Sequence, residues 1–236
     1  IQDEFSDATG VASITTKPDG SPITKPSNFT RFCNDIVRKT ELGCENCYKS
    51  DAKLGSINNE GPNIGHCLSG GLWDAGASIV VSGYHIANWM IGQVRDESQN
   101  DEKIINYAKT IGVKEDILID AFHEVPSMSE KKFRYVAKAL FSFANIISQT
   151  AYNNLLQARL ISEQKETEVR LLENQEKLKQ LNNSKDRFFS IIAHDLRNPF
   201  NSIIGFCDIL KNRIDNNDLE GSKECIDIIN DSSQKV

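Results

Sequence analysis

Residues 78–94, SIVVSGYHIANWMIGQV, set the fold class. The stretch is rich in β-branched and aromatic residues and is broken once, at Ser82-Gly83. A two-residue break of this kind between apolar runs predicts a tight hairpin. Along the second strand Trp89 and Met90 are adjacent, so only one of them faces any given side of the sheet. On the C-terminal side, residues 101–110 and 114–122 read as two short helices around Gly112. On the N-terminal side, Phe29, Phe32, Cys33, Ile36 and Val37 recur at helical spacing. Ser27 or Asn28 is the expected N-cap of that helix and Gly43 its end, with a second short helix over about 47–54. Residues 1–26, punctuated by Gly10, Pro18, Gly20, Pro22 and Pro26, read as a strand or two among loops. Strands and helices mixed in this way predict an α+β domain.

The 236 residues allow one or two domains. Hydrophobic residues make up 39% and charged residues 25%, which supports a packed core and excludes wholesale disorder. There are 27 Lys and Arg against 33 Asp and Glu, a net charge of -6, so no nucleic-acid partner is expected. No run reaches the roughly 18 apolar residues of a membrane span, and no signal segment opens the chain. A cytoplasmic setting with reduced thiols is expected. The start at Ile1 reads as an excised piece, which leaves room for an anchor upstream.

From about Ser127 the pattern turns helical, and residues 127–181 contain neither Pro nor Gly. A helix of ~50 residues spans about 75 Å, too long for one globular domain, so it must connect others. Leu171, Leu178, Leu181, Phe188 and Ile192, spaced 7, 3, 7 and 4, form a coiled-coil seam. Gln164, Thr167, Asn174 and Lys185 interrupt the frame, which suits helices that shift register. A solvated linker helix held by side-chain pairs is the plainer reading.

The seam leads into DRFFSIIAHDLRNPFNSIIGFCDILK at 186–211. Phe188, Ile192, Leu196, Ile203, Cys207 and Leu210 define its apolar face. His194 stands two residues from both Ile192 and Leu196, some 200° around the helix, and so faces outward. Asp195 can accept the imidazole Nδ1 proton and leave Nε2 nucleophilic. Arg197 and Asn198 share the His194 face at i+3 and i+4. Pro199 removes the backbone donor that would bond the Asp195 carbonyl, at a cost near 3 kcal/mol, and predicts a bend there. Leu219, Cys225, Ile226, Ile228 and Ile229 begin a further helix over 218–236.

The run H-D-L-R-N-P, preceded by F-F-S-I-I-A and a coiled coil, resembles the phospho-acceptor box of sensor histidine kinases, the HisKA-type dimerisation and phosphotransfer region. The resemblance covers roughly residues 182–236. It implies a four-helix bundle across a homodimer. It also implies His194 as phospho-acceptor from Mg-ATP, Asp195 as assisting base and Asn198 in regulator dephosphorylation. The phosphoryl group would pass to an aspartate in a response regulator receiver domain. No Gly-rich ATP lid and no Asn-bearing Mg-binding helix occur up to Val236. Mg-ATP would therefore be bound by a downstream domain, and this fragment alone should not autophosphorylate.

The front half carries C-E-N-C-Y-K-S-D at 44–51, HCLSGGLWDAG at 66–76, the hairpin, the helix pair and K-K-F at 131–133. In this order the elements resemble the PocR family, ligand-sensing modules regarded as a variant of the PAS fold. Three departures stand out: His66 precedes Cys67, a Gly is inserted at 70–71, and Ser78 replaces a usual Pro. The resemblance implies a small organic ligand, often a simple hydrocarbon derivative. Trp73, Tyr84 and Trp89 are candidates to line its pocket, though plain core packing accounts for each. Cys33, Cys44, Cys47 and Cys67, spaced C-x10-C-x2-C-x19-C, suit Zn or an Fe–S cluster as four thiolates, with His66 as a substitute ligand; buried or redox-active thiols give the same pattern.

The expected domains are therefore a PocR-like sensor over 1–150, a coiled-coil signalling helix over 151–185 and a phosphotransfer domain over 186–236. Small-molecule sensing with kinase output is the primary reading. Redox or metal sensing through the four cysteines with the same output, and a non-catalytic coiled-coil adaptor, are the alternatives.

Overall fold

In a computed structural model, which describes residues 1–97 and 99–234, the fold is α+β. The 78–94 hairpin sits at the centre of a four-stranded antiparallel sheet. Its strands are β1 (Ala12–Thr16), β2 (Asn63–His66), β3 (Trp73–Val81) and β4 (Tyr84–Val94), in the order β1-β4-β3-β2. The helices are α1 (Gln2–Thr9), α2 (Glu41–Leu54), α3 (Asp101–Ile111), α4 (Glu115–His123), α5 (Glu130–Asp215) and α6 (Leu219–Gln234). Two compact units share them, residues 1–159 and 160–236, and α5 contributes to both.

Ser82 (φ 53) and Gly83 (φ 82) form the hairpin turn, both left-handed as a two-residue turn with native twist requires. The strand pair extends further back than the sequence predicts, to Trp73. Two bulges break its register. Trp73 pairs with Val94 but Asp74 with Gly92, which leaves Gln93 as the extra residue, and Ile86 is extra in the same way. Gln93 holds φ 58, and its freed N–H turns to the Asp74 carboxylate, 3.0 Å away.

Both faces of the sheet are covered. On one side lie Trp73, Ala75, Ala77, Trp89 and Ile91, packed with Phe5 of α1 and with Phe133, Ala137, Leu140 and Ala144 of α5. The α5 residues follow a 4-3-4 spacing, one stripe of a helix. The other side carries Ile14 and Met90 against Leu54 of α2. A separate core joins Phe32, Cys33, Val37 and Cys47 to α3 and α4 through Ile104, Leu118 and Phe122.

Several expectations for the front half are corrected. Residues 1–26 hold one named strand and α1, whose C-cap is Gly10 in the left-handed region (φ 72). Ser27 bridges Ser13 and Asn28 has φ 51, so neither caps a helix. The Phe29–Val37 stripe forms a π turn (Phe32–Ile36) and a 3₁₀ turn (Val37–Lys39). Gly43 lies inside α2, where a Cβ would collide with the Val37 carbonyl. The cap is Thr40, whose Oγ1 accepts from Gly43 N at 3.1 Å. Thus α2 starts six residues before the expected Cys47, and α5 starts at Glu130 rather than Ser127.

Leu140→Ala should cost the front unit about 2–5 kcal/mol, because Leu140 is fully buried. Tyr84→Ala, at the exposed first residue of β4, should stay within about 0.5 kcal/mol. Urea unfolding followed by tryptophan fluorescence reads both, since the chain's two tryptophans, Trp73 and Trp89, lie in this core.

Candidate functional sites

In the second unit, α5 presents His194 with its side chain 71% exposed and Asp195 with 69%. The next residue in sequence brings its Oδ1 to 3.2 Å from His194 Nδ1. With Nδ1–H donating to that carboxylate, the lone pair resides on Nε2, which points away from the partner. Asn198 is exposed on the same helix, and α5 continues through Pro199. The seam residues Leu171, Leu178, Leu181 and Phe188 are all more than half exposed within the single chain. At the chain's far end, Cys225 of α6 is buried (2% exposed), and Arg213 of α5 meets Glu224 at 3.5 Å.

In the first unit, a cavity opens on the sheet face opposite the α5 stripe. It is lined by Ile14, Phe29, Cys33, Arg38, Cys47, Asp51, Cys67, Ser69, Asp74 and Met90, with further strand residues. None of Trp73, Tyr84 and Trp89 lines it. Trp73 is buried with its Nε1–H donating to Asp96 at 2.6 Å and its ring 4.1 Å from that of His66. Trp89 donates to Ser13 Oγ at 2.9 Å and packs against Phe5. Tyr84 is 73% exposed. Of the Trp89-Met90 pair, Met90 faces the cavity.

The four front cysteines are divided. Cys33, Cys47 and Cys67 line the cavity, and Cys44 sits outside it, beside the Tyr48 hydroxyl. Among the described residues no three His, Cys, Asp or Glu side chains converge as a metal site would. Burial pushes the Cys33 and Cys67 thiols well up and that of Cys47 to about 11, which favours the neutral thiol at all three. His66 bonds the Gly71 carbonyl at 2.9 Å.

The charged lining was not anticipated from sequence. Arg38 Nη2 donates to Asp51 Oδ2 at 3.0 Å, with side chains 16% and 7% exposed. The guanidinium lies 4.9 Å from the centre of the Phe29 ring. Burial would lower Arg38, but the charge of Asp51 holds it above its ordinary value. Burial pushes Asp51 up to about 6 against the pull of Arg38. It pushes Asp74 up to about 7, aided by the charge of Asp51 and opposed by the Gln93 N–H. Gly92 makes the room: a Cβ there would overlap Asp74 Oδ1.

Asp74 makes the stability of the fold depend on pH. Unfolded, its carboxyl loses its proton near 3.8; folded, near 7. Between these values the folded state binds more protons, so this residue makes stability fall as pH rises through that window. Asp74→Asn removes the dependence. From pH 5 to pH 8 the unfolding midpoint of the unsubstituted chain should fall further than that of the variant, as thermal melts at both pH values would show.

No helix among the described residues is long and apolar enough to cross a membrane. Residues 1–152 match the family described as a sensory domain found in PocR, and residues 184–236 match the His Kinase A (phospho-acceptor) domain. No curated protein and no solved structure matches the chain significantly. The chain belongs to the PocR sensory-domain family, and with the His Kinase A domain that follows it carries the sensory and phospho-acceptor regions of a two-component sensor histidine kinase.

Proposed function

We propose that a small molecule bound in the front cavity controls ATP-dependent phosphorylation of His194 and onward transfer to an aspartate of a response regulator. The observation that carries this reading is the exposed His194 ring with Nδ1 at the Asp195 carboxylate, inside the phospho-acceptor match. Nε2 attacks the γ-phosphorus of Mg-ATP in line, a P–N bond forms and the bond to the ADP oxygen breaks. Asp195 holds the Nδ1 proton and stabilises the positive ring that develops. The regulator's carboxylate then takes the phosphoryl group and returns Nε2 to its neutral state. Asn198, four residues on, orients the water that hydrolyses the regulator's acyl phosphate.

A second copy of this chain covers the exposed Leu171, Leu178, Leu181 and Phe188 seam, since apolar residues at heptad spacing gain their burial from a partner helix. The sensory signal enters α5 through Phe133, Ala137, Leu140 and Ala144, which are part of the same helix as His194. A ligand shifts the output by favouring one arrangement of that helix, to the extent of its difference in affinity for the two.

The test is labelled ATP with a histidine-kinase ATP-binding domain supplied separately, comparing the chain with His194→Gln. An acid-labile label on the unsubstituted chain alone is expected. Label on neither protein would leave a coiled-coil adaptor as the better account. Asp195→Asn should keep the label and slow its appearance by about 10²–10⁴-fold, as loss of a positioned proton acceptor does.

A further inference from the structure

The front cavity holds one unmet demand. Arg38 Nη2 is paired with Asp51, but Arg38 Nε is buried and has no acceptor. A buried donor left unpaired costs about 1–3 kcal/mol. Among the residues lining this cavity, Arg38 Nε is the buried side-chain donor without a partner. The cavity thus lacks an acceptor at one defined atom. Its carboxylates, by contrast, are already served, Asp51 by Arg38 and Asp74 by Gln93 N. The open space is about 30 Å³. One water needs about 10–15 Å³, so the space admits two or three water-sized groups, as many as the methyl and two oxygens of acetate.

We propose that this cavity is the receptor site for a short carboxylic acid of formate or acetate size, one oxygen of which takes the hydrogen bond that Arg38 Nε lacks. The proposal deepens the sensory reading above and rests on it. Ile14, Phe29 and Met90 supply apolar wall for the carbon end. The charged and titratable groups facing the site are Arg38, Asp51, Asp74 and the thiols of Cys33, Cys47 and Cys67. The thiols are neutral, and Arg38 balances Asp51. An incoming carboxylate is one negative charge too many for a buried site, so it enters with a proton. Asp74, raised to about 7, retains its own proton below that pH, so the proton that the ligand carries comes from solution. Binding therefore takes up a proton, and affinity falls about tenfold for each pH unit of increase.

The test follows the Arg38 Nε–H resonance of the 236-residue chain during titration with sodium acetate and sodium formate. At pH 6 a saturable shift is expected, weakening about tenfold by pH 7. Ethanol and ethylamine at the same concentrations should leave the resonance in place. Arg38→Lys, which keeps the charge and loses Nε, should weaken acetate binding at least tenfold in calorimetry. A resonance that neither acid moves at pH 6 would mean that water alone fills the cavity, and it overturns the proposal. An equal response to ethylamine or ethanol, or an acetate affinity indifferent to pH, overturns it too. If Arg38→Lys loses its native circular dichroism, the titration of the unsubstituted chain decides alone. Phosphorylation of His194 is read without added acid, so its success alongside a silent resonance discards the ligand class and spares the kinase reading.

Discussion

The seating of Phe133, Ala137, Leu140 and Ala144 on the sheet is the contact on which the rest depends. Without it one whole face of β3 and β4, including both tryptophans, would lie open to water. Each large side chain there is worth roughly 1.5–3 kcal/mol of burial. The helix that closes this core is also the helix that bears His194. One element thus packs the sensory core at its start and runs, further along, into the phospho-acceptor match.

The opposite face of the sheet is organised by an irregularity. Had β3 and β4 paired without interruption, Gln93 N–H would be spent in the ladder and Asp74 would have no backbone donor. The bulge frees that N–H, and Gln93 Oε1 in turn accepts from Thr30 N at 2.8 Å, which ties the loop before the π turn to the sheet. Gly92 leaves the space into which the carboxylate folds. A buried acid is costly unless it is hydrogen-bonded or protonated, and Asp74 uses both means. Strain at Gln93 and burial at Asp74 are tolerated together at the cavity, where departures from regularity concentrate in folded proteins.

Much of this architecture is legible in the chain. The Ser82-Gly83 break, the α3–α4 pair and the H-D-L-R-N-P run each rest on local spacing, which sequence records faithfully. The failures have physical causes. Helix α1 offers only Phe5 as a large buried residue, so periodicity is silent, although Asp3, Glu4 and the C-terminal Gly10 mark its ends. Gly43 is ambiguous in sequence because a glycine needed for close approach looks like one that ends a helix. The sequence leaves Trp73 and Trp89 open between pocket and core because this sheet is buried on both faces, and alternation cannot tell the helix side from the cavity side. Arg38, Asp51 and Asp74 meet only through tertiary folding, and no spacing in the sequence announces them.

Pro199 gives α5 a further property. With no N–H at that residue, the Asp195 carbonyl has no rung four residues on, so the helical ladder is thinned next to the His194 imidazole. Opening a turn there forfeits one bond fewer than elsewhere along α5. The segment beside His194 can therefore yield locally while the turns on either side of it stay wound.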